Sequence, residues 1–256
     1  MVLPIIDARV HVSRASAPWP KVREVLRGAG VDTALLSIYP DSPQSEHDLS
    51  LPRDVSAKDG PWAAYYVGGY PYEGYRNGPA RIPSDFDRYS ALHIRCFVSP
   101  SLDFGGATTS AYWDAERIEA AVGREDLNAV IDAARQRSMP VWLIEHFPVT
   151  MALIERFPDV RFVIPKMGAM NGGSAAVLNT LVDFAHICFD TALGDLQESI
   201  VRKIGYRRIL FASGYPYNDP SDALSQLCGM DLPDDEIAAM AGGNLLELLE
   251  CEEWEV

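Results

Sequence analysis

Short apolar runs bounded by turn residues alternate with stretches of helical periodicity along this chain of 256 residues. That alternation is the signature of repeated β-α units on a parallel sheet. Eight apolar runs read as strands: Ile5 to Val12, Thr33 to Tyr39, Ala63 to Gly69, His93 to Ser99, Pro140 to His146, Arg161 to Lys166, His186 to Thr191 and Arg208 to Ser213. Eight is the number that closes a barrel, so the pattern predicts an α/β fold, a single (β/α)8 TIM-type barrel over residues 1–256.

The helical pattern is clearest in the second half. Leu127, Val130, Ile131 and Ala134 recur at i, i+3, i+4 and i+7 and form one apolar stripe. Asp195 is placed to cap a helix that turns Leu196, Ile200 and Ile204 inward and ends at Gly205, and Ser221 to cap another. Asp234, Asp235 and Glu236 put negative charge at the start of a third, where the helix dipole favours it. From Pro40 to Gly60 and from Tyr70 to Ser90 the chain is rich in Pro, Gly, Asp and Tyr, without sustained helical periodicity. Both stretches follow strands, which in a barrel places them over the C-terminal face where sites are built. Tyr70 to Arg76 reads as a lid or pocket wall, and equally as an ordinary surface loop with packed tyrosines.

Composition narrows the partners. A formal charge of -14 argues against nucleic acid and against anionic membranes, because phosphates would be repelled over most of the surface. A local basic pocket inside this acidic envelope still suits a small anionic molecule, and nothing in the composition opposes a homo-oligomer. Cys96, Cys188, Cys228 and Cys251 are scattered, without metal-binding or redox spacing, and read as reduced, mostly buried small hydrophobes. With no signal-peptide pattern and no long apolar span, the expected location is cytoplasmic.

Three segments carry chemistry: Ile5-Ile6-Asp7-Ala8-Arg9-Val10-His11-Val12, then Arg161-Phe162-Val163-Ile164-Pro165-Lys166-Met167-Gly168, then Ile209-Leu210-Phe211-Ala212-Ser213-Gly214-Tyr215-Pro216. In this order they resemble the amidohydrolase superfamily, specifically its amidohydrolase-related branch of decarboxylases, hydratases and lactonases. That family reads I-D-x-H-x-H at the first strand, H-x-G after a later strand and F-G-S-D-x-P at the last. Here Arg9 stands at the first His, Lys166 at a later His and Gly214 at the Asp, while Ile144 occupies the His of a P-V-x-x-H segment. The closing Gly242 to Leu249 also resembles the family's last helix, with Glu247 where the family usually has Arg.

The resemblance implies a frame that outlived its metal site. Of the family's ligands only His11 is kept, and Arg9 cannot coordinate a cation because it stays protonated. The expectation is therefore no metal and no other cofactor. A relocated pair, His11 with His146 and with Glu145 or Asp190 nearby, is the alternative, since His146 lies two positions beyond Ile144 and strand side chains alternate. In the metal-free reading Arg9, His11 and Lys166 converge at the barrel mouth and replace one divalent charge by fixed side-chain charges, suited to a carboxylate, phosphate or oxyanion. The candidate catalytic residues are His11, Lys166 and Asp190, and the candidate substrate-binding residues are Arg9, Lys166, His146 and Tyr215.

Each has a plainer role beside it. Arg9 can pair with Asp7 or Asp190, His11 can be a hydrogen-bonded core histidine, and Lys166 can bridge to Glu145 or Asp190, where Asp190 is either a general base or a neutralising charge. His47, His93 and His186 have no informative spacing and read as structural or surface residues. Two functions follow: a metal-independent hydrolase or lyase acting on a lactone, ester or related carbonyl of an anionic small molecule, and an inactive barrel kept as a ligand-binding or scaffold protein. A Schiff base on Lys166 is a third option.

Overall fold

The computed structural model describes residues 3–38, 49–68, 79–99, 113–192 and 196–250. Their frame is an eight-stranded sheet in the order β1 to β8, every neighbouring pair parallel. The strands are β1 (Ile6–Val12), β2 (Thr33–Ile38), β3 (Trp62–Gly68), β4 (Ala91–Arg95), β5 (Val141–Ile144), β6 (Phe162–Ile164), β7 (Cys188–Asp190) and β8 (Ile209–Leu210). The helices are α1 (Trp19–Gly28), α2 (Leu51–Asp59), α3 (Ala115–Val122), α4 (Glu125–Arg135), α5 (Phe147–Arg156), α6 (Ser174–Leu181), α7 (Glu198–Ile204), α8 (Pro220–Cys228), α9 (Asp234–Ala238) and α10 (Asn244–Glu250). All eight expected strands are present, in a nearly closed TIM barrel.

Alternation along the strands, shifted once by a bulge between Asp7 and Val10 in β1, builds two cores. Outward residues such as Val10, Leu36, Leu92, Ile94, Leu143, Phe162 and Phe189 pack with the helical stripe of Leu127, Val130 and Ile131. Inward residues Ile6, Ala8, Leu35, Ala64, Ala91, Trp142, Val163, Cys188 and Leu210 fill the barrel floor, and Leu245 and Leu248 of α10 join that floor cluster. Gly242 makes this closure feasible: a Cβ there would lie 2.0 Å from the Pro4 carbonyl oxygen, so only glycine lets the closing turn approach the chain before β1.

β8 and β1 meet through a seam. Ala8 N donates to the Phe211 carbonyl (2.8 Å), Gly214 N to the Arg9 carbonyl (3.0 Å) and His11 N to the Tyr215 carbonyl (2.8 Å). The buried Asp7 carboxylate adds bonds from Ser213 N (3.0 Å) and Ser213 Oγ (2.5 Å). Arg208, half of the basic pair that leads into β8, donates to the carbonyls of Ile187, Val182 and Leu181 and so ties β8 to α6 and β7.

Local expectations fared unevenly. Gly205 does end α7, and Asp234, Asp235 and Glu236 do open α9. Asp219, not Ser221, caps α8: with Pro220 in the first turn, the Asp219 side chain accepts from Ser221 N. α7 starts at Glu198 with Gln197 in the cap position, and Asp195 lies outside the described residues. Residues 51–59, expected to be irregular, form α2, which buries only Pro52 and Val55 and ends at Gly60. Two buried positions in nine residues leave too little apolar periodicity to be seen. His47, Tyr70 to Arg76 and Cys251 lie outside the described residues. Cys96 and Cys188 are buried free thiols, whereas Cys228 is exposed. Among the described residues no helix is long and apolar enough to cross a membrane.

Candidate functional site

Above the apolar floor the barrel interior turns polar. β1 contributes Arg9 and His11, 3% exposed each, β4 contributes His93 and Arg95, the turn after β6 contributes Lys166, and β7 ends in Asp190. Charges collected at strand ends cannot all be solvated, so each must be accounted for by a partner, a pKa shift or a ligand.

Asp190 is the hub. Its Oδ2 accepts from Arg9 Nη1 (3.4 Å) and Trp142 Nε1 (3.1 Å), and its Oδ1 from the backbone N of Lys166 (2.8 Å) and of Ala192 (3.1 Å). The Arg9 to Asp190 pair is buried at both ends. Burial pulls the Arg9 pKa down and Asp190 holds it up, while Arg95 pushes it down further. Of the two acidic partners open to Arg9, the pair forms with Asp190; the Asp7 oxygens instead accept from Ser213 and from the Arg9 backbone N (3.1 Å). Burial raises the Asp7 pKa to about 7 against those bonds.

Lys166 has no such compensation. It is 6% exposed, and among the described residues no carboxylate lies within ion-pair distance of its Nζ. The group it faces is aromatic, the ring of Tyr217, 5.5 Å from Nζ to centroid. Burial lowers its pKa to about 7, helped by the charges of Arg9 and Arg95 and opposed by Asp190. Its backbone is left-handed (φ 54°, ψ 36°), followed by Met167 and Gly168 in the same region. A tight turn here is compatible with α6 only because residue 168 is glycine, since a Cβ would lie 2.5 Å from Val177 Cγ1. Two successive non-glycine residues at positive φ, Lys166 and Met167, are costly backbone, held by the Lys166 N to Asp190 bond and by this close packing.

His11 stacks edge-on to Tyr217 at 5.9 Å, and its Nδ1 lies 3.1 Å from the Ile38 carbonyl oxygen. A carbonyl only accepts, so Nδ1 carries the proton and Nε2 is the acceptor of the neutral ring. The ring is neutral because burial, then the charges of Arg9, Arg95 and His93, push its pKa well below the usual histidine value.

Two residues of the site were not singled out from the sequence. Arg95 follows His93 at i, i+2 on β4, the same spacing that places Arg9 and His11 on one face of β1. Its guanidinium hydrogen-bonds Tyr217 and feels Tyr66; burial lowers its pKa, but the aromatic hydroxyls and Cys96 more than offset that. Tyr217, although 44% exposed, touches His11, Lys166 and Arg95. Tyr215 enters through its backbone, its N donating to Ser213 Oγ (3.0 Å) and its carbonyl accepting from His11 N (2.8 Å). His93, expected to be structural or superficial, is buried inside the barrel against Trp142 at 5.1 Å.

His146 and Glu145 sit apart from this group. β5 ends at Ile144, so alternation stops there; His146 is the cap residue of α5 and its Nδ1 accepts from Trp113 Nε1 (2.8 Å). Glu145 accepts from the backbone N of Phe97 (2.6 Å), Val98 (3.2 Å) and Ser99 (2.9 Å) and shapes the turn after β4. The residues do not fit a divalent metal of the kind the resemblance implies. Arg9, Ile144, Lys166 and Gly214 offer no ligand, and among the described residues no group of three or more His, Cys, Asp or Glu is placed to hold one.

No family model and no curated protein matches the chain. Solved structures do. Amidohydrolase 2 from Bifidobacterium longum subsp. infantis superposes with a TM-score of 0.62 at 14% identity, covering 98% of this chain and 100% of that one. A putative 2-pyrone-4,6-dicarboxylic acid hydrolase from Pseudomonas putida gives 0.63 at 13%, covering 98% and 100%. A 2,6-dihydroxybenzoate decarboxylase complexed with 2,6-dihydroxybenzoate gives 0.58 at 12%, covering 97% and 98%. At these identities the likeness is one of fold: the chain is built on the same TIM barrel as amidohydrolase 2 and these hydrolase and decarboxylase structures.

Proposed function

We propose that the barrel mouth binds a small organic carboxylate and hydrolyses a lactone or ester bond in it without a metal. The observation that carries this reading is the charge imbalance: Arg9, Arg95 and Lys166 act on one another, and the described carboxylate that acts on Arg9 and Lys166, Asp190, has its oxygens already taken by four donors. An anion entering the mouth would relieve repulsion left standing among the described residues. The similar structures support the substrate class, since one holds 2,6-dihydroxybenzoate and another is described as a putative dicarboxylic acid hydrolase.

In this reading Arg95 and Arg9 hold the substrate carboxylate and the oxygen that becomes negative as the carbonyl is attacked. Lys166, with a pKa of about 7, takes a proton from the attacking water as a neutral amine and returns it to the leaving oxygen as the tetrahedral intermediate breaks. The neutral His11, with Nε2 as acceptor, orients that water. Asp190 anchors Arg9 and the Lys166 backbone; four hydrogen bonds leave it poorly disposed to move a proton itself.

A second reading, a binding barrel without turnover, is favoured by the ligand positions that became inert, Ile144 and Gly214. Calorimetry with benzoate, isophthalate and succinate, alongside titration of acid released from carboxylated lactones, separates the two. Binding and hydrolysis together, both lost in Arg95→Met, support the hydrolase; binding without hydrolysis supports the second reading. Absence of any carboxylate binding removes both.

A further inference from the structure

Resting on the carboxylate seat proposed above, but going beyond hydrolysis, we propose that Lys166 forms a Schiff base with the ketone of a small 2-oxo carboxylic acid whose carboxylate lies on Arg95 and Arg9. The geometry supplies what such an amine needs. Nζ is buried, and among the described residues no carboxylate lies within ion-pair distance of it. Two guanidinium groups act on it, and the face of Tyr217 closes one side at 5.5 Å. A fixed cation beside a desolvated lysine makes its neutral form accessible, and the neutral amine is the nucleophile. The left-handed turn at residues 166–168 and the Lys166 N to Asp190 bond fix where this side chain starts.

The step balances without any added oxidant or reductant. The neutral amine adds to the ketone carbon to give a carbinolamine, nitrogen gives up a proton, the carbinol oxygen leaves as water after protonation, and a C=N bond to Lys166 remains. The Tyr217 hydroxyl, hydrogen-bonded to Arg95 and carried on the ring that Nζ faces at 5.5 Å, would pass the proton to the departing oxygen. The carboxylate of the oxo acid offsets one guanidinium charge next to the cationic iminium, so a ketone without a carboxylate should condense poorly.

The chain carries its own controls, for its other three lysines, Lys21, Lys58 and Lys203, are exposed. The full-length protein is mixed with pyruvate, 2-oxoglutarate or phenylglyoxylate, or with acetone, and borohydride is added. Intact mass and peptide mapping then locate any adduct, which weighs the oxo acid less one oxygen atom. The expected result is an adduct on Lys166 with at least one oxo acid, at least ~10-fold above acetone, and none in Lys166→Arg, which keeps the charge but not the amine chemistry. Adduct spread over the exposed lysines to the same extent in the wild type and Lys166→Arg overturns the proposal, as does no adduct on Lys166 with any of the three acids. Calorimetry with succinate on the same samples keeps the two readings apart. Succinate binding without an adduct sinks the Schiff base and leaves the hydrolase; an adduct without lactone hydrolysis does the reverse.

Discussion

The lower and upper halves of the barrel interior obey opposite rules. The floor is Ile6, Leu35, Ala64, Ala91, Trp142, Val163, Cys188 and Leu210, apolar side chains that gain by leaving water and by filling space. A few ångströms higher the same strands present Arg9, His11, His93, Arg95, Lys166 and Asp190, groups that lose by leaving water and recover only part of it from one another. Trp142 joins the halves, its ring in the floor and its Nε1 on Asp190. Folding alone would select the floor's chemistry throughout, so the cationic upper layer costs stability, as the proposed carboxylate seat would require.

The sharpest way to break this contrast is Asp190→Ala. It should destabilise by ~3–5 kcal/mol, because Arg9, the Trp142 indole and two backbone N–H groups lose their acceptor while remaining buried. Urea unfolding showing less than ~1 kcal/mol would mean that the upper layer is already solvated. In the floor, Leu210→Ala should cost ~2–4 kcal/mol through its cavity, yet leave succinate affinity within about two-fold. A large loss of affinity there would erase the distinction between the halves.

Lys166→Met tests the upper layer through pH. A lysine whose pKa falls from 10.5 to about 7 on folding binds fewer protons in the native state between those values. Its contribution therefore becomes more favourable as pH rises from 7 to 10.5, with a slope of up to about 1.4 kcal/mol per unit, and is most unfavourable below 7. The Met variant should be more stable than wild type at pH 7, the two should converge by pH 10, and succinate affinity should fall at least ~10-fold. Parallel stability curves would show that Lys166 is not desolvated. The smallest effect is expected for His93→Leu. His93 Nε2 has no hydrogen-bond partner among the described residues, so its removal should change stability by no more than ~1 kcal/mol and in the stabilising direction.

The fold was legible because a barrel repeats one signal eight times, and the run of apolar residues survives even where a strand is only Ile209–Leu210. α2 was not, having only two buried positions. The site was partly legible. Arg9, His11 and Lys166 were found because they stand in the motif segments and Asp190 because it ends an apolar run, and the four do come together. Arg95 carries the same signal but stands outside the three motif segments, and alternation along His93-Ile94-Arg95 would have found it. Tyr217 had no signal: which aromatic of the segment Tyr215 to Tyr217 turns inward depends on the path after β8. His146 shows where alternation stops, because its strand ends two residues earlier and a helix cap begins.

The seam between β8 and β1 also sets an order in time. Asp7 and Ser213 are 206 positions apart, and the Arg9 and Tyr215 carbonyls receive their donors only when the last strand docks beside the first. Contacts of such long sequence separation form late, after the loop-closure entropy of the whole chain has been met. Arg9 and His11 are made early and take their places in the barrel mouth only when β8 docks, so any binding at the proposed carboxylate seat would report on a closed barrel and not on a partly formed one.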